Sequence, residues 1–243
     1  MKKLLAIALA LFATVTAAQA QQIDLGAIGQ ADGTTVGYII QMFGLITVLS
    51  VAPGLLIMVT SFTRFVIAFS ILRAGMGLQS TPANLILISL SLFMTFYVMA
   101  PTFDQAWNNG VRPLMNNEIS QQQALERISD PFRQFMVKHV RDKDFDLFAD
   151  LAREQGQTVS RDNVDLRVLV PAFMISEIRR GFEIGFLIVL PFLVIDLIVA
   201  TITMAMGMMM LPPTVVSLPF KLLFFVLIDG WNLLVGSLVR SFS

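Results

Sequence analysis

The sequence predicts an all-α, membrane-associated fold, and three observations carry that prediction. Apolar residues make up 56% of the 243 positions and charged residues 14%, with a mean hydropathy of +0.74, which excludes an ordinary soluble domain. Long apolar runs recur on both sides of one polar stretch. Within that stretch apolar side chains return at helical spacing, as in Phe132, Phe135, Met136 and Val140. The 17 basic and 17 acidic residues cancel, so no nucleic-acid footprint appears. There is no cysteine for disulfides or thiolate sites, and the single histidine, His139, rules out a multi-histidine metal site within one chain.

In chain order, residues 1–20 read as a cleaved secretory signal. Lys2 and Lys3 form its positive end, Leu4–Val15 its short apolar run, and Ala18-Gln19-Ala20 a small-x-small cleavage site. The mature chain is expected to begin near Gln21, with its N-terminus outside the cytoplasm. Residues 21–103 form an N-terminal apolar hairpin region. No charge occurs from Gly33 to Thr63, but Pro53-Gly54 is expected to cut that run in half, and Arg64 and Arg73 bracket the next apolar stretch. Pro82 is placed at the first position of the next helix, with Thr81 as its cap. Leu85–Ala100 is then a marginal span, ended by Pro101.

Residues 104–167 form a polar helical insert with 11 acidic and 9 basic residues. Asp130-Pro131 is expected to open a helix over Phe132–Val140. Asp144 is expected to cap a second over Phe145–Glu154, with Gly156 at its end. The apolar positions of both read as internal packing, and His139 as a solvated residue. Residues 168–243 form a C-terminal apolar hairpin. Pro171–Phe186 carries Glu177, Arg179, Arg180 and Glu183; Phe182–Thr203 contains Pro191 and Asp196; Thr214–Val239 contains Pro219, Lys221 and Asp229. If the segments span, a translocated N-terminus and an even number of crossings put the insert outside. Arg64, Arg73 and Lys221 then lie towards the cytoplasm, as the positive-inside bias asks.

The chain is organised around the break at Met204–Pro213, where Gly207, Pro212 and Pro213 interrupt two apolar runs and the side chains between are thioethers. Two readings compete: a soft constriction in a passage, or a methionine-rich core turn. No enzyme is expected. The sequence lacks a metalloprotease, phosphate-cradling or dinucleotide motif, and His139 has no recognisable nucleophile beside it. Glu177 and Glu183 stand beside Arg179 and Arg180, which reads as ion pairing. The apolar-segment charges Arg64, Asp196, Lys221 and Asp229 have three possible uses: structural pairing within or between subunits, an ion relay, or the lining of a watery path.

Two long stretches resemble the FliP family of flagellar export-gate proteins, related to the SctR subunits of virulence type III secretion. They are Pro171–Phe186, with Ser176-Glu177-Ile178-Arg179-Arg180-Gly181 at its centre, and Pro219–Trp231, with Lys221 and Asp229-Gly230-Trp231. Leu190–Asp196 and Gly207–Pro213 match as well, and the likeness covers essentially the whole mature chain. The signal and the Asp-Gly-Trp ending favour the flagellar branch. The resemblance implies a homopentamer joined by FliQ and FliR in a helical, conical assembly, alongside other export-apparatus membrane proteins. It places the assembly at the bacterial inner membrane in the flagellar basal body, raised largely out of the bilayer, with the insert on the periplasmic side. Unfolded flagellar subunits pass through its centre, with no cofactor, and the constriction maps onto Met208, Met209 and Met210. An ion-coupled secondary transporter with broken helices is the alternative, but no inverted repeat is evident. A structural basal-body scaffold is the third reading.

Overall fold

The computed structural model describes residues 33–156, 160–161, 164–208 and 212–242, so the signal at residues 1–20 lies outside the described residues. The chain divides at Ala52/Pro53 into two compact units. In the first, the described residues belong to helix α1, Gly33–Met58, where Tyr38, Ile40 and Phe43 are exposed. This helix continues through Pro53-Gly54, so the expected cut is absent.

Prolines further along also lie inside helices, against expectation at Pro101 and Pro131. Helix α3, Asn84–Ala106, passes through Pro101 and continues by a π-helical turn, Trp107–Val111, into α4, Arg112–Met115. Helix α5, Gln121–His139, contains Pro131, and α7, Leu166–Ala205, runs 40 residues through Pro171 and Pro191. One cause covers the apolar cases. A proline removes one backbone hydrogen bond, but leaving the helix among apolar groups would strand several more with no water to take them.

In the second unit α2, Phe62–Gly75, lies along α7, burying Phe65, Ala68, Phe69 and Leu72. Helix α3 begins at Asn84, beyond the expected Pro82, and no side chain caps it. Instead Arg73 of α2 donates from Nη1 to Asn84 Oδ1 and to the Pro82 carbonyl (3.3 Å), tying the helix start across the turn.

Helix α5 begins well before Asp130-Pro131, at a capping box. Ser120 Oγ accepts from the Gln123 N–H, and Gln123 Oε1 accepts from the Ser120 N–H. Helix α6, Asp142–Glu154, starts two residues before Asp144, whose carboxylate accepts from Ser176 Oγ at 2.7 Å rather than capping the helix. It ends at Gly156, at φ +80°. After α7 come α8, Pro213–Leu227, and α9, Gly230–Arg240, bent by 63° at the left-handed Asp229.

No strand occurs among the described residues, and the fold is all-α. Asn84–Met115 and Leu166–Ala205 are each long and apolar enough to cross a membrane, and the bent pair α8–α9 forms a possible third, broken span. Helix α7 threads two cores. Its first turns join α5 and α6 in a cluster that includes Met136, Phe145, Ala149, Leu169 and Phe173. Its later turns join α2, α8 and α9 around Phe65, Phe69, Phe192, Phe225 and Leu238. The apolar positions of the polar insert thus fall largely in packing, although Leu151 is exposed.

The close approach of α2 to α7 depends on Gly181 and Gly185, one turn apart. A Cβ on Gly181 would sit 3.0 Å from Ile67 Cβ, and one on Gly185 2.9 Å from Ile71 Cδ1. Small residues at this spacing are how helices without water between them pack tightly. Gly185→Leu is therefore expected to force α2 from α7 and destabilise the chain by at least ~2 kcal/mol. A lower thermal-unfolding midpoint in detergent, with less folded chain recovered, is the measurement.

Candidate functional site: the methionine turn and the buried charges

Helix α7 stops by a full Schellman arrangement. The Met208 N–H donates to the Thr203 carbonyl and the Gly207 N–H to that of Met204, both at 3.0 Å, with Gly207 at φ +75°. On the far side Pro212 caps α8 and Pro213 takes its first position, where the missing N–H costs nothing. Both ends of the turn are thus fixed by backbone chemistry. Met204 and Met206 are exposed, and Met208 is partly so. Met206 and Met208 border an apolar groove of about 410 Å³ with Ile198, Ile202, Val216 and Phe220. Met209 and Met210 lie outside the described residues.

The charges near this turn are paired. Lys221 of α8, 3% exposed, donates from Nζ to Asp196 Oδ2 of α7 and to the Gly75 carbonyl at the end of α2 (3.1 Å). Ser217 Oγ donates to the other carboxylate oxygen of Asp196 at 2.5 Å. Three helices therefore meet on one ion pair, whose partners stand on either side of the methionine turn in sequence.

Arg64 lies at the other end of α2, 2% exposed, and is satisfied on every side. Its Nε donates to Glu177 Oε2 at 2.9 Å and its Nη2 to Glu177 Oε1, a bidentate pair with a fully buried carboxylate. Its Nη1 donates to the carbonyl and hydroxyl of Ser241 at 3.0 and 2.7 Å, and its Cζ lies 3.6 Å from the Phe242 ring centre. The sequence sets Glu177 beside Arg179 and Arg180, but the structure gives it Arg64 instead. Arg179 and Arg180 reach Glu183 at 3.0 and 3.9 Å, in an exposed cluster. Glu183 thus pairs as expected. Asp229 is exposed and acts through its backbone, in the left-handed bend. Ser241 and Phe242, absent from the expected set, carried no sequence signal beyond an aromatic residue near the end of the chain.

His139 departs from expectation. It is not solvated but half-buried, with its ring 4.6 Å from that of Phe135 and 5.3 Å from that of Phe242. Burial, and then the positive charges of Arg64 and Lys138, push its pKa down to about 4.

These features define an all-helical membrane protein whose deepest charges, Arg64 with Glu177 and Lys221 with Asp196, are paired, and whose longest helix threads two apolar cores before it ends at the methionine turn. The FliP family model matches residues 45–238. The chain is 75% identical over 215 residues to the flagellar biosynthetic protein FliP of Agrobacterium fabrum, covering 88% of each. It is 76% identical over 212 residues to that of Rhizobium meliloti, covering 87% of this chain and 86% of the relative. With the FliP of Bacillus subtilis it shares 48% over 212 residues, 87% of this chain and 96% of the relative. The chain belongs to the FliP family, and is an inner-membrane component of the flagellar export apparatus.

The buried groups carry two expected outcomes. Asp196→Asn leaves Lys221 buried without its counter-charge and is expected to cost ~3–5 kcal/mol, whereas Asp196→Asn with Lys221→Met recovers most of it; chemical unfolding of the two variants compares them. For His139 the folded pKa lies below the unfolded value of about 6.5, so its contribution to stability is complete above about pH 6.5 and falls away towards pH 4. His139→Phe is expected to flatten the pH dependence of the unfolding midpoint between those limits.

Proposed function

We propose that this chain is the pore-forming core subunit of the flagellar type III export gate, through which unfolded flagellar subunits cross the inner membrane. It acts as a homopentamer with FliQ and FliR, with the insert on the periplasmic side and Met208, Met209 and Met210 at the narrowest point. Its chemistry is passage, not catalysis. The observation that carries the reading is the methionine turn: its ends are pinned by a Schellman cap, two prolines and the Lys221–Asp196 pair, while Met204 and Met206 remain uncovered.

A gate for unfolded chains must exclude ions yet admit any side chain. Unbranched thioethers adapt to either shape and hold no fixed water, so a ring of them contributed by several copies closes by dewetting. Charged groups in the same place would trap oppositely charged stretches of the passenger. The buried charges suit this role because each is neutralised within the chain and kept out of the proposed path. Met208, Met209 and Met210 replaced together by alanine are expected to leave the oligomer intact by size-exclusion chromatography but to make membranes leaky to small ions. A variant that assembles and stays as tight as wild type refutes the constriction.

A further inference from the structure

Where the polar insert meets the apolar helices there is a cleft of about 400 Å³ whose lining of nine residues includes five cations. Lys138 closes α5, Arg141 and Lys143 flank the start of α6, and Arg180 comes from α7; Arg64 also borders it. Asp142 is the lone carboxylate of the lining, and Arg161 already occupies it. Arg64 is neutralised by Glu177, but the others are not matched in this way. Lys138 and Lys143 have no carboxylate within 4.0 Å among the described residues. Arg180 reaches Glu183 only at 3.9 Å. Arg141 Nη1 is buried without a hydrogen-bond partner, 3.9 Å from an Asp144 carboxylate that Ser176 already engages. Unmatched cations around one cavity call for an anion with several acceptor oxygens.

The surroundings indicate which anion. Leu187 and Val194 lie seven and fourteen residues beyond Arg180 on the same helical face, and both are exposed, 64% and 54%. Together they extend an uncovered apolar strip about 20 Å along α7 from the cleft. A charged head over an apolar strip matches a lipid: a phosphate in the cleft and acyl chain along the helix. We propose that this cleft binds the phosphate of an anionic phospholipid, which fixes the depth at which the insert meets the bilayer surface. Burial chiefly keeps His139 neutral, and the positive charges of Arg64 and Lys138, which a phosphate in the cleft would offset, add to it.

The test is native mass spectrometry of the full chain, purified as its oligomer in detergent, titrated with dioleoylphosphatidylglycerol, dioleoylphosphatidylcholine or inorganic phosphate. Wild type is expected to prefer phosphatidylglycerol to phosphatidylcholine about tenfold or more, and Lys138→Gln/Lys143→Gln/Arg180→Gln to lose that preference while Lys138→Arg/Lys143→Arg keeps it. Should the triple variant fail to fold, the wild-type preference must collapse between 50 mM and 500 mM salt, on the order expected from screening. Equal binding of the two lipids, a triple variant that retains the preference, or a preference indifferent to salt overturns the proposal. Displacement of the lipid by an equal concentration of inorganic phosphate assigns the cleft to a free anion and overturns it too.

Discussion

The structure depends on one buried ion pair, Arg64 with Glu177. An arginine and a carboxylate taken out of water lose several kcal/mol of hydration each, which only near-perfect geometry returns. Here all three nitrogens of Arg64 are engaged, by two carboxylate oxygens and by both oxygens of Ser241, with the Phe242 ring against its Cζ. Separating α2 from α7, or either from the C-terminal residues, would strand a charge in an apolar interior. The pair therefore fixes three distant parts of the chain relative to one another. Phe242 extends this into the polar insert, stacking on Phe135, which in turn meets Phe173 edge-on. The two cores are thus held in register through a single aromatic chain.

The second pair, Lys221 with Asp196, divides the labour differently. It joins α8 to α7 and both to the last turn of α2 through the Gly75 carbonyl. The segment between its two partners is Leu197–Phe220, with the methionine turn near its middle. On the proposed reading, a turn whose feet are clamped by this pair and whose methionines are unbranched deforms locally without disturbing its supports. Had the methionines been β-branched residues, the same clamp would have given a rigid collar.

The helical class and the run of thioethers were legible because composition and periodicity are local properties. So were the end of α6 at Gly156 and the break at Gly207. The prolines misled at Pro53, Pro101 and Pro131, since the rule that proline ends a helix assumes that water stands ready for freed backbone groups. Pro131 is itself buried, held inside a helix already nucleated at Ser120. That capping box, Ser120-Gln121-Gln122-Gln123, was readable and outweighs Asp130-Pro131. Partner choice was not readable. Glu177 stands two residues from Arg179 and 113 from Arg64, yet one turn of a helix points residues i and i+2 to different sides. Only the packing of α2 on α7, allowed by Gly181 and Gly185, brings the distant partner closer than the near one. His139 reads as solvated for the same reason: nothing local announces that Phe242 returns to cover it.

The lengths of the helices then set what must cover them. Helix α7 spans about 60 Å at ~1.5 Å per residue, roughly twice the hydrocarbon thickness of a bilayer. The insert packs on its first turns, as far as Phe173 and Ser176. From Ile178 to Ala205 about 42 Å remain, and along them Phe182, Phe186, Leu193 and Leu197 are exposed beyond the strip of Leu187 and Val194. Lipid alone covers that length only with a steep tilt, and a steep tilt would drag the charged cluster of Arg179, Arg180 and Glu183 into hydrocarbon. Helices α8 and α9 press the point from the other side, since 15 and 11 residues are each too short to cross alone, and the bend at Asp229 separates them. A chain with one helix too long for the bilayer and two too short for it meets its apolar surface most economically with other protein. On the proposed reading, the turn that carries the exposed Met204 and Met206 faces an interior shared between copies, not a sea of acyl chains.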